Sequence, residues 1–166
     1  MIVSIGEAKL ASDNGTVKAA SMALSTAYKL SQMGESVMFV GPIADDEQGA
    51  QTLEFIIDNC IFFDPAFCKG GSFTEKKLED VFVINDDVNV VVLSGDFLDD
   101  RENVKILYNV LKTKKDVKIY LNAVGRQDVM NSELPGICTK VRVEEDKDPD
   151  YDARVAACLQ NGAEEV

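Results

Sequence analysis

The residues best placed to do chemistry lie in the segment VMFVGPIADDEQG, residues 37–49. A buried apolar run ends at Gly41, and Asp45, Asp46 and Glu47 open the amphipathic segment that follows, so a strand leads into a helix here. Carboxylates at such a helix start either contact a ligand or a cation, or they cap the helix and complement its dipole, which contributes about 0.5–2 kcal/mol. We favour capping and retain Asp45 as a candidate ligand-binding residue.

Glu7 and Arg126 are candidates of the same kind, because each follows a predicted strand. In an open α/β sheet the ligand crevice lies beyond the carboxyl ends of the strands. The Glu7 carboxylate therefore faces the crevice, unless it only caps a loop. The planar guanidinium of Arg126 suits a carboxylate or a phosphate. On so acidic a protein, Arg126 can instead pair with Asp128 or with a nearby glutamate.

Two further segments carry weaker signals. The pair Gly70-Gly71 can bring its backbone close to a phosphate, but a lone glycine pair is more often a flexible loop. The run EEDKD at residues 144–148 can hold a divalent cation through its carboxylates, but such a run more often forms a solvated loop. We predict no metal site in either segment.

The composition is that of a folded, acidic protein. The 166 residues fit one domain, residues 1–166, and 46% of them are hydrophobic, which is enough for a sizeable core. The formal net charge of −12, with no histidine and no Lys/Arg cluster, disfavours nucleic acid and anionic membranes as partners. Without a signal peptide, a membrane span or a disulfide pattern, the sequence predicts a cytoplasmic protein with four reduced cysteines: Cys60, Cys68, Cys138 and Cys158.

Strands and helices alternate along the chain. The spacing predicts strands at residues 1–5, 37–40, 88–93, 117–121 and 138–143, and helices at 17–33, 51–60, 104–111, 127–131 and from 149 to Gly162. Residues 9–16 and 61–72 are predicted as loops, the second with an optional short strand at 61–63. Residues 81–84 fit either a strand or a helix end. This alternation predicts a doubly wound α/β fold with a mainly parallel sheet.

The C-terminal residues GAEEV look like the lead-in to a further buried strand. A truncated parent domain and a naturally shortened one both fit this pattern.

The strand-turn pattern resembles the PfkB (ribokinase-like) carbohydrate kinase family. The resemblance rests on MIVSIGEA, on VMFVGPIADDEQGAQTLEFI, on VNVVVLSGDFL and on KIYLNAVGR, which match in order the family's opening strand, its VGxxGDDxxG turn, its Ser-Gly strand end and its Asp-x-Asn-x-Arg motif. The match covers the first half to two-thirds of a family-length chain. It implies a three-layer ribokinase-like sandwich and ATP- and Mg²⁺-dependent phosphorylation of a sugar hydroxyl.

Several family motifs are altered or absent in this chain. The family's catalytic base lies in a Gly-Ala-Gly-Asp motif, which this sequence does not contain. The space before the first helix implies a lid that is reduced or absent, and the second lid insertion is reduced to residues 62–72. The substituted motif positions are Ala20, Ser21 and Ser25 in the first helix, Ala44 in the turn, Asn122 and Val124 before Arg126, and Glu144 and Lys147 in place of the family's Asn-x-x-Glu.

From these observations we expect a PfkB-like protein that acts as a binding or interaction domain without kinase activity of its own. The alternatives are the N-terminal portion of an ATP-dependent sugar kinase and a small α/β regulatory module that binds an anionic ligand. We predict no catalytic residue, and no cofactor unless the kinase alternative holds with ATP and Mg²⁺. A sugar-like ligand is expected in the crevice, with Glu7, Asp13, Asn14, Asp45 and Arg126 as its candidate contacts.

The chain also predicts an exposed sheet edge, which proteins usually cover by self-association. We therefore expect a homodimer that buries this edge. Light scattering at micromolar concentration should give the mass of a dimer, and a monodisperse monomer would contradict the prediction.

Overall fold

The computed structural model describes residues 1–68 and 71–163. Six parallel strands form one sheet in the order β5-β4-β1-β6-β7-β8. They are β1 (Ile2–Ile5), β4 (Val37–Val40), β5 (Phe62–Phe63), β6 (Val90–Leu93), β7 (Lys118–Asn122) and β8 (Lys140–Arg142). The central strands are buried along their whole length, which explains their continuous apolar runs.

Helices cover both faces of this sheet. They are α1 (Met22–Gln32), α2 (Glu47–Asp58), α3 (Glu75–Ile84), α4 (Arg101–Leu111), α5 (Gln127–Met130) and α6 (Tyr151–Gln160). One hydrophobic core joins α1, α2 and α6 to the sheet, and a second joins α3, α4 and α5 to its other face. The three-layer α/β architecture predicted from the sequence is therefore confirmed. Within the described ranges, none of the helices has the length and apolarity of a membrane span.

The segment before α1 differs from the sequence prediction. A polar loop at residues 9–16 and a helix from residue 17 were expected, but the chain forms an antiparallel hairpin of β2 (Leu10–Asp13) and β3 (Thr16–Ala19), and α1 begins only at Met22. The turn residues Asn14 and Gly15 both have positive φ, 50° and 79°. This is the Asn-Gly signature of a tight hairpin turn, which outweighs the helical spacing of Val17 and Ala20. The hairpin lies where a reduced or absent lid was expected.

The structure also decides the two alternatives that the sequence left open, at residues 81–84 and 61–63. Residues 81–84 are the end of helix α3, and a short strand does form near the optional position, as β5. Two predictions concern residues outside the described part. One is Gly70 of the Gly70-Gly71 pair, within residues 69–70. The other is the strand lead-in predicted from the last residues of the chain, which includes residues 164–166.

Three chain segments meet almost backbone to backbone at the carboxyl end of the sheet. A Cβ atom on Gly41 would lie 1.9 Å from the carbonyl oxygen of Gly6, and one on Gly6 would lie 2.5 Å from Cβ of Ala23. Glycine is therefore required by space at both positions, because no side chain fits between β1, β4 and α1.

Gly41→Ala should lower the free energy of unfolding by about 1–3 kcal/mol, because the added methyl group overlaps a backbone oxygen that cannot move independently. Urea denaturation measures this change. Gly136→Ala is the matched control, because a Cβ there meets no atom within 4 Å, and its effect should stay within about 0.5 kcal/mol. Equal losses from the two substitutions would contradict the packing argument.

Candidate functional site

All six parallel strands end at the same edge of the sheet, and the loops that follow them form its crevice. One cavity at this edge lies between the β2–β3 hairpin and the start of α2, and we call it the hairpin cavity. Its volume is about 500 Å³. It is lined by Ala8, Lys9, Leu10, Ala11, Ser12, Val17, Ile43, Ala44, Gln48, Gly49, Gln51 and Thr52.

The wall of the hairpin cavity combines apolar groups with uncharged polar groups. Ser12, Gln48 and Gln51 supply a hydroxyl and two amides, and Lys9 supplies the single charge among the described lining residues. The Thr52 hydroxyl is already used, because it donates to the carbonyl oxygen of Gln48 at 2.8 Å. Such a wall can hydrogen-bond a neutral polar ligand, and among its described residues there is no carboxylate to act as a base.

The turn from Gly41 to Gly49 forms one side of this cavity. The Gly49 amide donates to Oδ1 of Asp46 at 2.8 Å, so Asp46 is the N-cap of α2, as favoured from the sequence. A Cβ on Gly49 would lie 1.7 Å from the carbonyl oxygen of Ala44, so the turn closes tightly only with glycine there. Asp45 is exposed and forms no hydrogen bond or ion pair with the described residues.

Glu7 holds the loop that follows β6. Its carboxylate accepts hydrogen bonds from the backbone amides of Asp96, at 3.2 Å, and Phe97, at 2.7 Å. Gly95, with φ of +90°, makes this close approach possible, because a Cβ there would lie 2.7 Å from Oε1 of Glu7. The Glu7 side chain thus ties the end of β1 to the start of the next loop.

Arg126 binds the same loop from the other side. Its guanidinium contacts Oδ1 of Asp96 at 3.0 Å, Oδ1 of Asp99 at 3.1 Å and the carbonyl oxygen of Val124 at 3.1 Å, and only 14% of the side chain is exposed. The sequence suggested Asp128 or a glutamate as its partner. Asp128 instead pairs with Arg101, at 3.4 Å.

The five candidate contacts are thus placed in three groups. Glu7 and Arg126 meet at residues 95–99, and Asp13 and Asn14 lie at the tip of the hairpin, where Asp13 pairs with Lys18 at 3.7 Å. Asp45 precedes α2 on the exposed turn. In the structure Glu7 and Arg126 hold the loop after β6 in place. Ligand binding by any of the five residues remains a prediction.

A buried polar cluster that we did not predict lies beside the crevice, at the ends of β7 and β8. Asp152 is 8% exposed and accepts hydrogen bonds from the Tyr120 hydroxyl at 2.6 Å, Nδ2 of Asn122 at 2.7 Å and the Arg142 guanidinium at 2.8 Å. We call these four residues the Asp152 cluster. Asp152 lies in the first turn of α6, and no sequence pattern pairs it with residues 10 and about 30 positions away.

Burial, strengthened by the hydrogen bond to Asp152, raises the pKa of Tyr120 above its ordinary value of 10.0. Tyr120 therefore keeps its proton in the folded protein at a pH where the same tyrosine begins to lose its proton in the unfolded chain.

The carboxylates of the acidic run at residues 144–148 do not converge on one point. Among the described residues, no group of three acidic, histidine or cysteine side chains comes close enough to hold a metal ion. Asp148 of this run instead pairs with Arg154.

Tyr120→Phe should lower the free energy of unfolding by about 1–2 kcal/mol at pH 8, because Asp152 loses a buried donor. The raised pKa of Tyr120 stabilises the folded state fully below pH 10, and this contribution is lost as the pH rises, because only the unfolded tyrosine ionises there. The difference between wild type and variant should therefore shrink above pH 10, by up to about 1.4 kcal/mol per pH unit.

Urea denaturation at pH 8 and above pH 10 measures this difference. Tyr28→Phe is the control, because the Tyr28 hydroxyl forms no hydrogen bond with the described residues, and this substitution should leave the wild-type pH profile unchanged. A gap between wild type and Tyr120→Phe that stays constant with pH would contradict the prediction.

Comparison with known proteins supports the fold through structure alone. No family model and no curated protein matches the sequence. An uncharacterized sugar kinase from Pyrococcus horikoshii in complex with ATP is 14% identical, with a TM-score of 0.61 over 82% of this chain and 57% of that chain. Fructokinase from Xylella fastidiosa is 11% identical, with a TM-score of 0.61 over 95% of this chain and 59% of that one.

A PfkB family carbohydrate kinase from Listeria grayi is 13% identical, with a TM-score of 0.59 over 98% of this chain and 69% of that chain. This chain thus spans between 57% and 69% of the length of these kinases. The resemblance seen in the sequence motifs is therefore matched by the arrangement of strands and helices, and the chain has the ribokinase-like fold of the PfkB sugar kinases.

Proposed function

We propose that this chain is a ribokinase-like binding domain that holds a small polyhydroxyl ligand, such as a sugar, in the hairpin cavity. The observation that carries the proposal is the cavity itself, which opens at the carboxyl ends of β1 and β4 and is closed on one side by the hairpin. Its volume of about 500 Å³ suits a ligand of sugar or nucleoside size. Its hydroxyl and amide groups suit ligand hydroxyl groups.

We further propose that the chain does not transfer a phosphoryl group on its own. Transfer to a sugar hydroxyl needs a group that accepts the hydroxyl proton, together with donors that stabilise the transferred phosphoryl group. The described lining of the hairpin cavity offers no carboxylate for the first task. Glu7, directly before the lining residue Ala8, already accepts two backbone hydrogen bonds. A role for ATP and Mg²⁺ belongs to the alternative in which this chain is the N-terminal portion of a kinase.

The sheet edge is the second surface that we propose for binding, here to a second copy of the chain. β8 pairs with β7 on one side, and no described strand pairs with its other side. Val143, directly after β8, is 53% exposed. An unpaired strand edge with an adjacent exposed apolar side chain favours pairing with another strand.

Calorimetric titration with a panel of sugars, with and without ATP and Mg²⁺, tests the proposed binding. We expect saturable binding of a sugar and no turnover of ATP. Ala11→Phe should weaken sugar binding at least about tenfold, because its ring fills a cavity that Ala11 lines from an exposed strand position. Ala50→Phe is the matched control, because Ala50 is exposed on the adjacent helix α2 and does not line the cavity.

Three outcomes would count against the proposal. Absence of heat with every sugar would refute a sugar-binding role. An equal affinity in wild type and Ala11→Phe would refute the location. Sugar-dependent hydrolysis or transfer from ATP by the purified chain would refute the absence of catalysis and establish the kinase alternative.

A further inference from the structure

A second, smaller cavity lies between the first two turns of α1 and the start of α6, and we call it the α1–α6 cavity. Its volume is about 180 Å³, and it shares no lining residue with the hairpin cavity. The α1 wall is formed by Met22, Ser25, Thr26 and Lys29, which follow one another on one side of the helix. The remaining lining residues are Ala19, Ala20, Ser21, Pro149, Asp152 and Ala153.

Thr26 is the residue in this cavity that points to a ligand. It is only 5% exposed, yet its hydroxyl has no hydrogen-bond partner among the described residues. Thr52, equally buried in α2, shows the usual solution, because its hydroxyl donates to the carbonyl oxygen four residues earlier. The Thr26 hydroxyl oxygen is not sealed in the core but reaches the α1–α6 cavity that Thr26 lines, so a group bound there can accept its hydrogen bond.

The opposite wall of the cavity supplies further donors. Asp152 and Ala153 belong to the first turn of the ten-residue helix α6, and their amides have no backbone acceptor. Asp150, the N-cap residue, forms no side-chain cap. Ser25 adds a second hydroxyl without a described partner, across from these amides.

The charges around this helix start are balanced, although its sequence is acidic. Asp148 pairs with Arg154, Asp150 with Lys29 at 3.1 Å, and Asp152 with Arg142 at 2.8 Å. Lys29 also donates to the carbonyl oxygen of Pro149, which places its ammonium group beside the α6 start. With each carboxylate neutralised by its own cation, the partial positive charge of the α6 N-terminus is left to act on the cavity.

We propose that the α1–α6 cavity binds a small oxyanion, a phosphate or a carboxylate group, between the Thr26 and Ser25 hydroxyls and the first amides of α6. Each of these groups can donate a hydrogen bond, and hydrogen bonds to a charged acceptor are the stronger kind. The free amides at a helix start favour an anion for the same reason. The site is independent of the sugar-binding role proposed for the hairpin cavity.

Titration of the ¹⁵N-labelled chain with inorganic phosphate, followed by amide chemical shifts at constant pH and ionic strength, tests the site. We expect saturable shifts of the Asp152 and Ala153 amides. Thr26→Val keeps the side-chain size but removes the hydroxyl, and it should weaken phosphate binding about tenfold. Thr26→Ser keeps the hydroxyl and should bind phosphate nearly as well as wild type.

Thr52→Val is the matched control, because Thr52 is an equally buried helical threonine that lines the hairpin cavity instead. It should leave phosphate binding unchanged. Ser25→Ala, at a half-buried position that tolerates the change, provides a second test if Thr26→Val fails to fold, and it should also weaken binding. A parallel titration with acetate distinguishes a carboxylate site from a phosphate site, since the preferred ion shifts the same amides at lower concentration.

Unchanged shifts at Asp152 and Ala153 with both ions would overturn the proposal. Equal affinity in wild type, Thr26→Val and Ser25→Ala would do the same. Weakening by Thr52→Val but not by Thr26→Val would place the anion in the hairpin cavity. Failure of the sugar titration leaves this test unaffected, because the reporting amides, Thr26 and Ser25 lie outside the hairpin cavity.

Discussion

The close approach of three backbones at the carboxyl end of the sheet is the constraint on which the rest of the structure depends. Gly6 follows β1 and faces Ala23 of α1, whereas Gly41 follows β4 and faces the carbonyl oxygen of Gly6. Neither position has room for a larger side chain. This contact fixes where α1 begins and where the turn before α2 starts. The hairpin between Gly6 and α1 is then held beside that turn, which creates the hairpin cavity.

The fold uses several of the charged groups that an open crevice would offer to a ligand. Glu7 stabilises the loop after β6 through two amides, and Arg126 holds the same loop through Asp96 and Asp99. Charged groups that become buried need hydrogen-bond or ionic partners. The contacts of Glu7 and Arg126 therefore also explain how this acidic chain packs its loops tightly. The hairpin cavity is left with mostly neutral polar groups, which is why we favour a neutral polyhydroxyl ligand there.

The Asp152 cluster plays a comparable part on the α6 side. A buried carboxylate with three donors from β7 and β8 fixes the position of α6 over the sheet, because removal of any partner would leave a buried polar group unsatisfied. The same helix start contributes amides to the α1–α6 cavity. One polar cluster thus sets the geometry of a second candidate binding site.

The sequence by itself determined the α/β class, five of the six sheet strands and most helices, because buried parallel strands and amphipathic helices have different apolar periods. The sequence favoured capping of α2 by Asp45 and Asp46, and the structure assigns the cap to Asp46 alone. The hairpin differs from the sequence prediction although Asn14-Gly15 carries its signal, because Val17 and Ala20 also fit helical spacing.

Only the tertiary structure decided which polar groups meet. The partners that tie Glu7, Arg126 and Asp152 to other elements lie between 10 and 90 residues away in the chain, and no periodic pattern records such distances. That the Thr26 hydroxyl has no hydrogen bond with a described residue is likewise invisible in the sequence, because a helical threonine usually bonds its own helix. Periodicity determines which side of an element is buried, whereas the packing of distant segments decides which side chains become a site.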